Sequence, residues 1–97
     1  MSRLLISRLE WDDDNREHLW ERHKVMPRDV YDVLGDPNNE MHLIPKSKYG
    51  RRPVIIGKDR GGRVLILYLA PVDEIEGIWR CATARKATDN ERKKYLR

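Results

Sequence analysis

The last twenty residues of the chain combine cations in a pattern that could bind a phosphodiester. Ile78 to Ala84 has the apolar and β-branched character of a strand. Thr88, followed three residues later by Glu91, predicts the capping box of a short helix. The strand would carry three cations to one sheet edge and the helix would add three beside them: Arg80, Arg85 and Lys86, then Arg92, Lys93 and Lys94. Such a surface would face phosphate and indicates a protein that binds RNA.

If a protein with this surface also cleaves RNA, Arg85 is the residue that we expect to stabilise the developing charge. Without a metal, the neighbouring 2′-hydroxyl is the nucleophile, so the protein must supply a base, an acid and cations. Arginine suits the last role because its planar fork matches phosphate oxygens. In a regular strand Arg80 and Lys86 share one face and Arg85 points to the other, so all three can line one site only if the strand ends or bulges near Ala84. The alternative is a solvated edge whose charges protect the sheet from pairing.

Four residues are candidates for the proton transfers. Histidine titrates near neutral pH, and His18 is predicted to be exposed, whereas His23 is predicted to be half-buried and hydrogen-bonded. Their five-residue spacing puts them about 140° apart on a helix, so they cannot chelate one metal ion together. Glu91 could act as a base, although the capping box already explains it. Tyr95 could donate a proton or stack on a base, or it could close the core under the last helix.

Three further arginines, Arg63, Arg51 and Arg52, are predicted to contact the RNA backbone. Arg63 starts the predicted central strand, and the other two end a basic segment that begins at Pro45. A plain solvated loop explains the Arg51-Arg52 pair equally well. The tryptophans are expected in the core rather than as base-stacking platforms: Trp11, Trp20 and Trp79.

Hydrophobic periodicity and chain breakers predict the elements that position these residues. The predicted helices are Asp13 to His23, Pro27 to Leu34, and a last one capped by Thr88. The predicted strands are Met1 to Glu10, Met41 to Ile44, Pro53 to Gly57, Arg63 to Ala70 and Ile78 to Ala84, with an acidic hairpin loop from Pro71 to Gly77. The nearly continuous apolar run from Val64 to Leu69 marks a central strand covered on both faces. This order predicts an α+β domain with an antiparallel sheet and helices packed on it.

Composition bounds the class of protein. The 97 residues have room for one domain, residues 1–97, with one core, and the formal charge is +4. The single cysteine, Cys81, cannot form an internal disulfide, so a reducing cytoplasm is expected, and its place in a strand predicts a buried thiol. No signal peptide and no apolar run of about 18 residues is present, so a soluble protein without membrane contact is expected.

Two motifs resemble the BrnT family of toxins. One is W-D-x-x-N-x-x-H-x-x-x-x-H-x-V, from Trp11 to Val25, and the other is R-x-x-T-A-R-K-A-T-x-x-E-R-x-x-Y, from Arg80 to Tyr95. Two segments between these motifs, Asp36-Pro37 and Gly62-Arg63-Val64-Leu65, also resemble the family. The resemblance implies a RelE-like fold and the toxin of a type II toxin–antitoxin module, a metal-independent endoribonuclease without a cofactor. It also implies an antitoxin with a ribbon-helix-helix domain, and leaves open a homodimer or a toxin–antitoxin heterotetramer.

The chain departs from the family's pattern at three places. Lys24 replaces a glycine that commonly ends the first helix in a left-handed conformation, where a side chain costs about 1 kcal/mol. Asn15 stands where many members have lysine, and the loop from Pro71 to Gly77 is longer and more acidic. These departures leave a second hypothesis open, a catalytically silent module of the same fold that binds RNA or a protein.

Overall fold

The structure is a computed structural model that describes residues 5–46 and 50–96, with residues 44–46, 50 and 51 described by their backbone alone. Its elements are, in chain order, β1 (Arg8–Glu10), α1 (Asp13–His23), α2 (Pro27–Gly35), β2 (Glu40–Lys46), β3 (Gly50–Lys58), β4 (Val64–Asp73), β5 (Ile78–Lys86) and α3 (Asp89–Tyr95). The predicted order of strand, two helices, further strands and a final helix is confirmed. None of the helices in these two ranges is long and apolar enough to cross a bilayer.

The five strands form one sheet in the order β1-β5-β4-β3-β2. Strands β2 to β5 pair antiparallel, as predicted, whereas β1 runs parallel to β5 at the edge. The chain passes from β1 through both of the first helices before entering β2 at the far edge, so no hairpin constrains the direction of β1. The α+β class is therefore confirmed, with a mixed rather than purely antiparallel sheet.

Each face of the central strand β4 packs against a different layer. Leu65, Leu67 and Leu69 belong to the larger core, which lies beneath α1 and α2 and includes Leu19 and Val30. The side chains that alternate with them, Val64 and Ile66, belong to a smaller core that α3 covers. A side-chain period of two on a strand buried on both sides explains this division, and the prediction for β4 is confirmed.

Several predicted boundaries were wrong. The basic segment from Pro45 to Arg52 is not one loop, because the β2–β3 ladder continues to the pair Lys46 and Gly50, and an edge strand tolerates Pro45. Residues 47–49 lie outside the described residues. β4 extends to Asp73, which leaves a turn in place of the longer acidic loop. β1 covers three residues, and the start of the predicted first strand, residues 1–4, lies outside the description.

The two ends of α1 are held by specific contacts. Asp12 caps the first turn by accepting a hydrogen bond from the Asn15 backbone N–H, while the Asn15 side-chain amide donates to the Cys81 carbonyl of β5 at 3.1 Å. Lys24 ends the helix in the left-handed region, with φ 55° and its N–H bonded to the carbonyl of Trp20. The left-handed position inferred for Lys24 is confirmed. Cys81 is buried as predicted, and burial raises the pKa of its thiol to about 12.

Trp20 contradicts the prediction that all three tryptophans are core residues. Its side chain is half-exposed and lies against the Lys24 ammonium group, 5.0 Å from the ring centroid. Its neighbour Leu19 is fully buried and occupies the core position on this face of α1. Trp79 is buried and Trp11 packs partly buried against the same core.

Candidate functional site

A β-bulge in β5 decides which of its cations share a face. Thr83 lies opposite Tyr68 and Cys81 opposite Leu69, so Ala82 has no partner of its own. The bulge shifts the alternation of side chains along the strand. It lies two residues before Ala84, close to where the sequence required an irregularity.

The bulge puts Arg80 and Arg85 on one face and Lys86 on the other. Arg85 pairs with Ile66 of the smaller core, on the side of α3. Arg80 lies between two residues of the larger core and so points away from it, toward the same side as Arg85. Lys86 pairs with Leu65, on the side of α1 and α2. A regular strand, the condition under which Arg80 and Lys86 would share a face, is therefore not present here.

Arg85 is held in a fork by Glu91. Its Nη1 and Nη2 atoms donate to Oε1 and Oε2 of Glu91, each at 2.7 Å. Nη2 also lies 3.5 Å from the hydroxyl of Tyr68, and the guanidinium carbon is 5.7 Å from the centroid of that ring. These three side chains form what we call the Arg85 cluster: Arg85, Glu91 and Tyr68. Sequence reasoning missed Tyr68, because a tyrosine in an apolar central strand resembles a core residue.

Glu91 also belongs to the capping box of α3. Its carboxylate accepts from the Thr88 backbone N–H at 2.9 Å, and the Thr88 hydroxyl accepts from the Glu91 backbone N–H at 3.1 Å. The predicted capping box is confirmed. The hydrogen bonds from Arg85, and further those from Thr88, lower the pKa of Glu91 to about 2. A carboxylate with this pKa is a weak proton acceptor, which argues against Glu91 as the general base in this arrangement.

Burial and charge also act on Tyr68 and Arg85. Burial is the main cause that raises the pKa of Tyr68 above its ordinary value, with the charge of Arg85 opposing it. The hydrogen bond with Glu91 is the main cause that raises the pKa of Arg85. The cluster is therefore a cation, an anion and a neutral phenol at physiological pH.

His23 and His18 lie on the C-terminal half of α1. His18 is exposed and His23 half-buried, as predicted, and their ring centroids are 6.4 Å apart. Burial lowers the pKa of His23, and the charges of His18, Arg22 and Arg85 lower it further. His23 is thus neutral at pH 7 and can accept a proton. Within the described residues the His23 ring forms no hydrogen bond to another protein group, so the predicted hydrogen bond is absent.

Arg80 does not join the Arg85 cluster. Its guanidinium forms an ion pair with Asp12, the residue that caps α1 at the end opposite His23. The Asn15 backbone N–H and then Arg80 lower the pKa of Asp12. α1 has 11 residues, so its two ends are about 16 Å apart. Arg80 is therefore anchored at the edge of the sheet near β1.

An open groove lined by cations lies where β4, β5 and α3 meet. It has a volume of about 350 Å³ and is lined by Lys58, Gly61, Gly62, Arg63, Val64, Lys86, Ala87 and Arg92. Lys58, Lys86 and Arg92 are exposed. We call these three residues with Arg63 the basic groove. Two of its residues, Lys86 and Arg92, directly follow members of the Arg85 cluster in sequence, Arg85 and Glu91. All cations of the basic groove except Lys58 were predicted from the sequence.

Arg63 is the most firmly held cation of the basic groove. Its Nε donates to Asp59 at 2.8 Å, its Nη2 lies 3.1 Å from Asp29, and its Nη1 donates to the Lys24 carbonyl at 3.0 Å. These contacts join the end of α1, the start of α2 and the β3–β4 turn. Arg63 therefore links three elements in addition to lining the groove.

Tyr95 contributes to the smaller core, in agreement with the structural alternative for this residue. Its ring centroid lies 4.9 Å from that of His42, and the His42 Nε2 atom is 3.1 Å from the Tyr95 carbonyl oxygen. Arg52 is half-buried in β3. Arg51 is also in β3, but its side chain lies outside the described part of the structure.

No protein-family model matches the sequence, and no curated protein matches it. Among solved structures, the chain is similar to the crystal structure of the ribonuclease toxin BrnT from Brucella abortus. The TM-score is 0.57 and the identity 18%, with 84% of this chain and 96% of that chain covered. At this identity the likeness establishes the fold alone. The BrnT-like fold that the end motifs predicted is confirmed.

Proposed function

Starting from this BrnT-like fold, we propose that the protein is the toxin of a type II toxin–antitoxin pair and a metal-independent endoribonuclease. The observation that carries the proposal is the half-buried Arg85 at the junction of β5 and α3, whose neighbour in sequence, Lys86, lines the basic groove. A fork of donors next to exposed cations suits a chain of phosphodiesters better than a small neutral ligand. The solved structure with this fold is itself named a ribonuclease toxin.

In the proposed reaction the 2′-oxygen attacks the adjacent phosphorus and the 5′-oxygen leaves, which forms a cyclic phosphate. Arg85 would stabilise the negative charge on the phosphorane oxygens. His23, whose pKa burial lowers, or the exposed His18 would accept the proton of the 2′-hydroxyl. Tyr95 or Tyr68 would supply a proton to the leaving oxygen. Lys86, Arg92 and Lys58 would hold the flanking phosphates.

The proposal is tested by incubating the purified protein with single-stranded RNA in EDTA. We expect fragments from the wild type and a loss of cleavage of about 100-fold or more in Arg85→Ala, because a transition-state charge loses its partner. Arg8→Ala is the matched control, since Arg8 is exposed and pairs with Ile78 at the opposite end of β5. It should cleave within about twofold of the wild type.

Intact RNA with the wild-type protein in EDTA would contradict the enzymatic proposal. Equal cleavage by Arg85→Ala and Arg8→Ala would contradict the role of Arg85. Thermal unfolding of both variants shows whether a loss of cleavage reflects a loss of folded protein.

The second candidate function is a catalytically silent module that binds RNA or protein. The observation in its favour is that three arginines named for the site are paired with the protein's own acids: Arg80 with Asp12, Arg85 with Glu91, and Arg63 with Asp59. Under this function the same assay gives bound but intact RNA.

The proposed partner is an antitoxin of the ribbon-helix-helix class in the same reducing cytoplasm. It would cover the basic groove with acidic and apolar residues, because one interface would then neutralise the cations and exclude RNA. A complex that leaves Arg85 and Arg92 open to solvent would contradict this arrangement.

A further inference from the structure

Glu91 uses the donors of Arg85 that a phosphodiester would use. Its two carboxylate oxygens accept from Nη1 and Nη2, each at 2.7 Å. The two unesterified oxygens of a phosphodiester present the same bidentate geometry and a single negative charge. A phosphate that binds these donors must therefore remove Glu91 from Arg85.

The pair is accessible to such a ligand. The Arg85 side chain is 32% exposed and the Glu91 side chain 18% exposed. Lys86 and Arg92, which follow Arg85 and Glu91 in sequence, line the basic groove, so an RNA strand bound there would run close to the junction of β5 and α3. The backbone of the strand would bring its own negative charge to the donors.

The remaining anchors of α3 do not depend on Glu91 touching Arg85. α3 has seven residues and none of them is buried. Its C-terminal end is held by Tyr95 and Leu96, which pack against the smaller core, and by the contact of His42 with the Tyr95 carbonyl. Rotation of one side chain in the first turn can therefore release Arg85 while the helix stays docked.

We propose that Glu91 is an internal competitor for RNA: a phosphodiester displaces its carboxylate from Arg85, and this exchange limits the affinity of the site. The inference rests on the proposed function, since it names the group that regulates access to the same RNA site. It also explains how an arginine can be paired in the free protein and still serve a phosphate when RNA is present.

Glu91→Gln tests the exchange directly. Glutamine keeps the oxygen that caps Thr88, since glutamine also serves in capping boxes, but it removes the charge that competes for Arg85. The probe is a fluorescent single-stranded 2′-O-methyl oligonucleotide, which lacks the attacking hydroxyl, so anisotropy reports binding alone. We expect binding about tenfold tighter than that of the wild type. The slope of log K against log salt should steepen by about 0.7, the value for one phosphate on a single strand, because the Glu91 carboxylate that is displaced in the wild type regains a counterion and glutamine does not.

Two controls separate exchange from a general change in charge. Glu74→Gln removes the same charge in the exposed turn before β5, at the far end from Arg85, and should leave the slope unchanged. Adding Glu91→Gln to Arg85→Ala should give no gain over Arg85→Ala alone, because the competed cation is absent. If the glutamine variant folds poorly, Glu91→Ala frees Arg85 as well and should steepen the slope equally.

The outcomes distinguish the two proposals. Wild-type binding with an unchanged or weaker affinity in Glu91→Gln would overturn the exchange and leave the RNA site standing. It would mean that phosphate binds Arg85 through its Nε edge while Glu91 orients the guanidinium. Failure of every variant to bind the oligonucleotide would overturn the RNA site itself, and the exchange with it.

Discussion

Arg63 and Arg85 both pair with carboxylates beside the same groove, yet they differ in how many partners hold them. Arg63 contacts two carboxylates and a backbone carbonyl, drawn from three different elements. Arg85 contacts one carboxylate, which comes from a short helix six residues along the chain, and its other acceptors, the Tyr68 hydroxyl and the Lys86 carbonyl, are more distant at 3.5 Å. The first guanidinium is surrounded by fixed acceptors, whereas the second has an acceptor that one side-chain rotation removes.

The burial of the acids follows the same division. The side chain of Asp59 is 3% exposed, and that of Glu91 is 18% exposed. Asp59 also accepts the backbone N–H of Arg63 at 2.9 Å, so losing this acid would leave two donors without a partner. The comparison of Arg63 with Arg85 indicates that an ion pair at a candidate site is not itself evidence against ligand binding. Both acids also accept a backbone N–H, so what matters is whether the acid can release its arginine, which the partly exposed Glu91 can do more easily than the buried Asp59.

Asp59→Ala tests the structural half of this comparison and should have the largest effect. It leaves the guanidinium of Arg63 short of one buried acceptor, so we expect the free energy of unfolding in urea to fall by about 2–3 kcal/mol. Asp13→Ala is the matched control, because its pair with Arg16 is exposed and should contribute less than about 0.5 kcal/mol. Equal losses in the two variants would contradict a structural role for Arg63.

Lowering the pH protonates Glu91 and breaks its pair with Arg85. The expected effect on the free energy of unfolding is somewhat smaller than that of Asp59→Ala. The folded pKa of Glu91, about 2, lies below its ordinary value of 4.5, so its contribution is complete above pH 4.5 and is lost as pH falls toward 2. We expect about 2 kcal/mol over this window, after allowing for partial exposure. The measurement is urea unfolding against pH, in wild type and Glu91→Gln. If the two curves run parallel below pH 4.5, the pairing with Arg85 is weaker in solution than the contacts indicate.

Substitution of Lys24 is expected to give the smallest effect. It tests the backbone conformation that Arg63 contacts. Its left-handed backbone positions the carbonyl that Arg63 binds, so the strain of a side chain there is tolerated for that contact. Lys24→Gly should be more stable than Lys24→Ala by about 1 kcal/mol, because both lose the ammonium group and only glycine relieves the strain. Urea unfolding measures the difference. An alanine variant as stable as the glycine variant would show that position 24 carries no backbone strain.

Local signals accounted for most of the fold. The bounds of α1 were predicted to the residue, because Asp12 and the first-turn carboxylates mark its start and His23 its last turn. The capping box of Thr88 and Glu91 was predicted from a three-residue spacing alone. The apolar run in β4 predicted a strand covered on both faces. The direction of β1 was not predictable, since pairing at a sheet edge depends on strands distant in sequence.

The candidate site was predicted as residue types rather than as an arrangement. Arg85, Glu91, Lys86 and Arg92 were named, and the structure brings them to one junction. Arg80 was named with them, but the bulge at Ala82 and its ion pair with Asp12 hold it elsewhere. Tyr68 was not named, because nothing in an apolar strand marks the one side chain that will meet an arginine.

The ends of the helices, the identity of the central strand and the concentration of cations all follow from local sequence, because capping, periodicity and charge act over a few neighbouring residues. Only the tertiary structure decided which acid neutralises which arginine, since the partners of Arg80 and Arg63 come from separate elements. That pairing depends on the register of β5 and on the docking of the helices. Those contacts distinguish Arg63, which links three elements, from Arg85, whose acid we propose that a phosphodiester displaces.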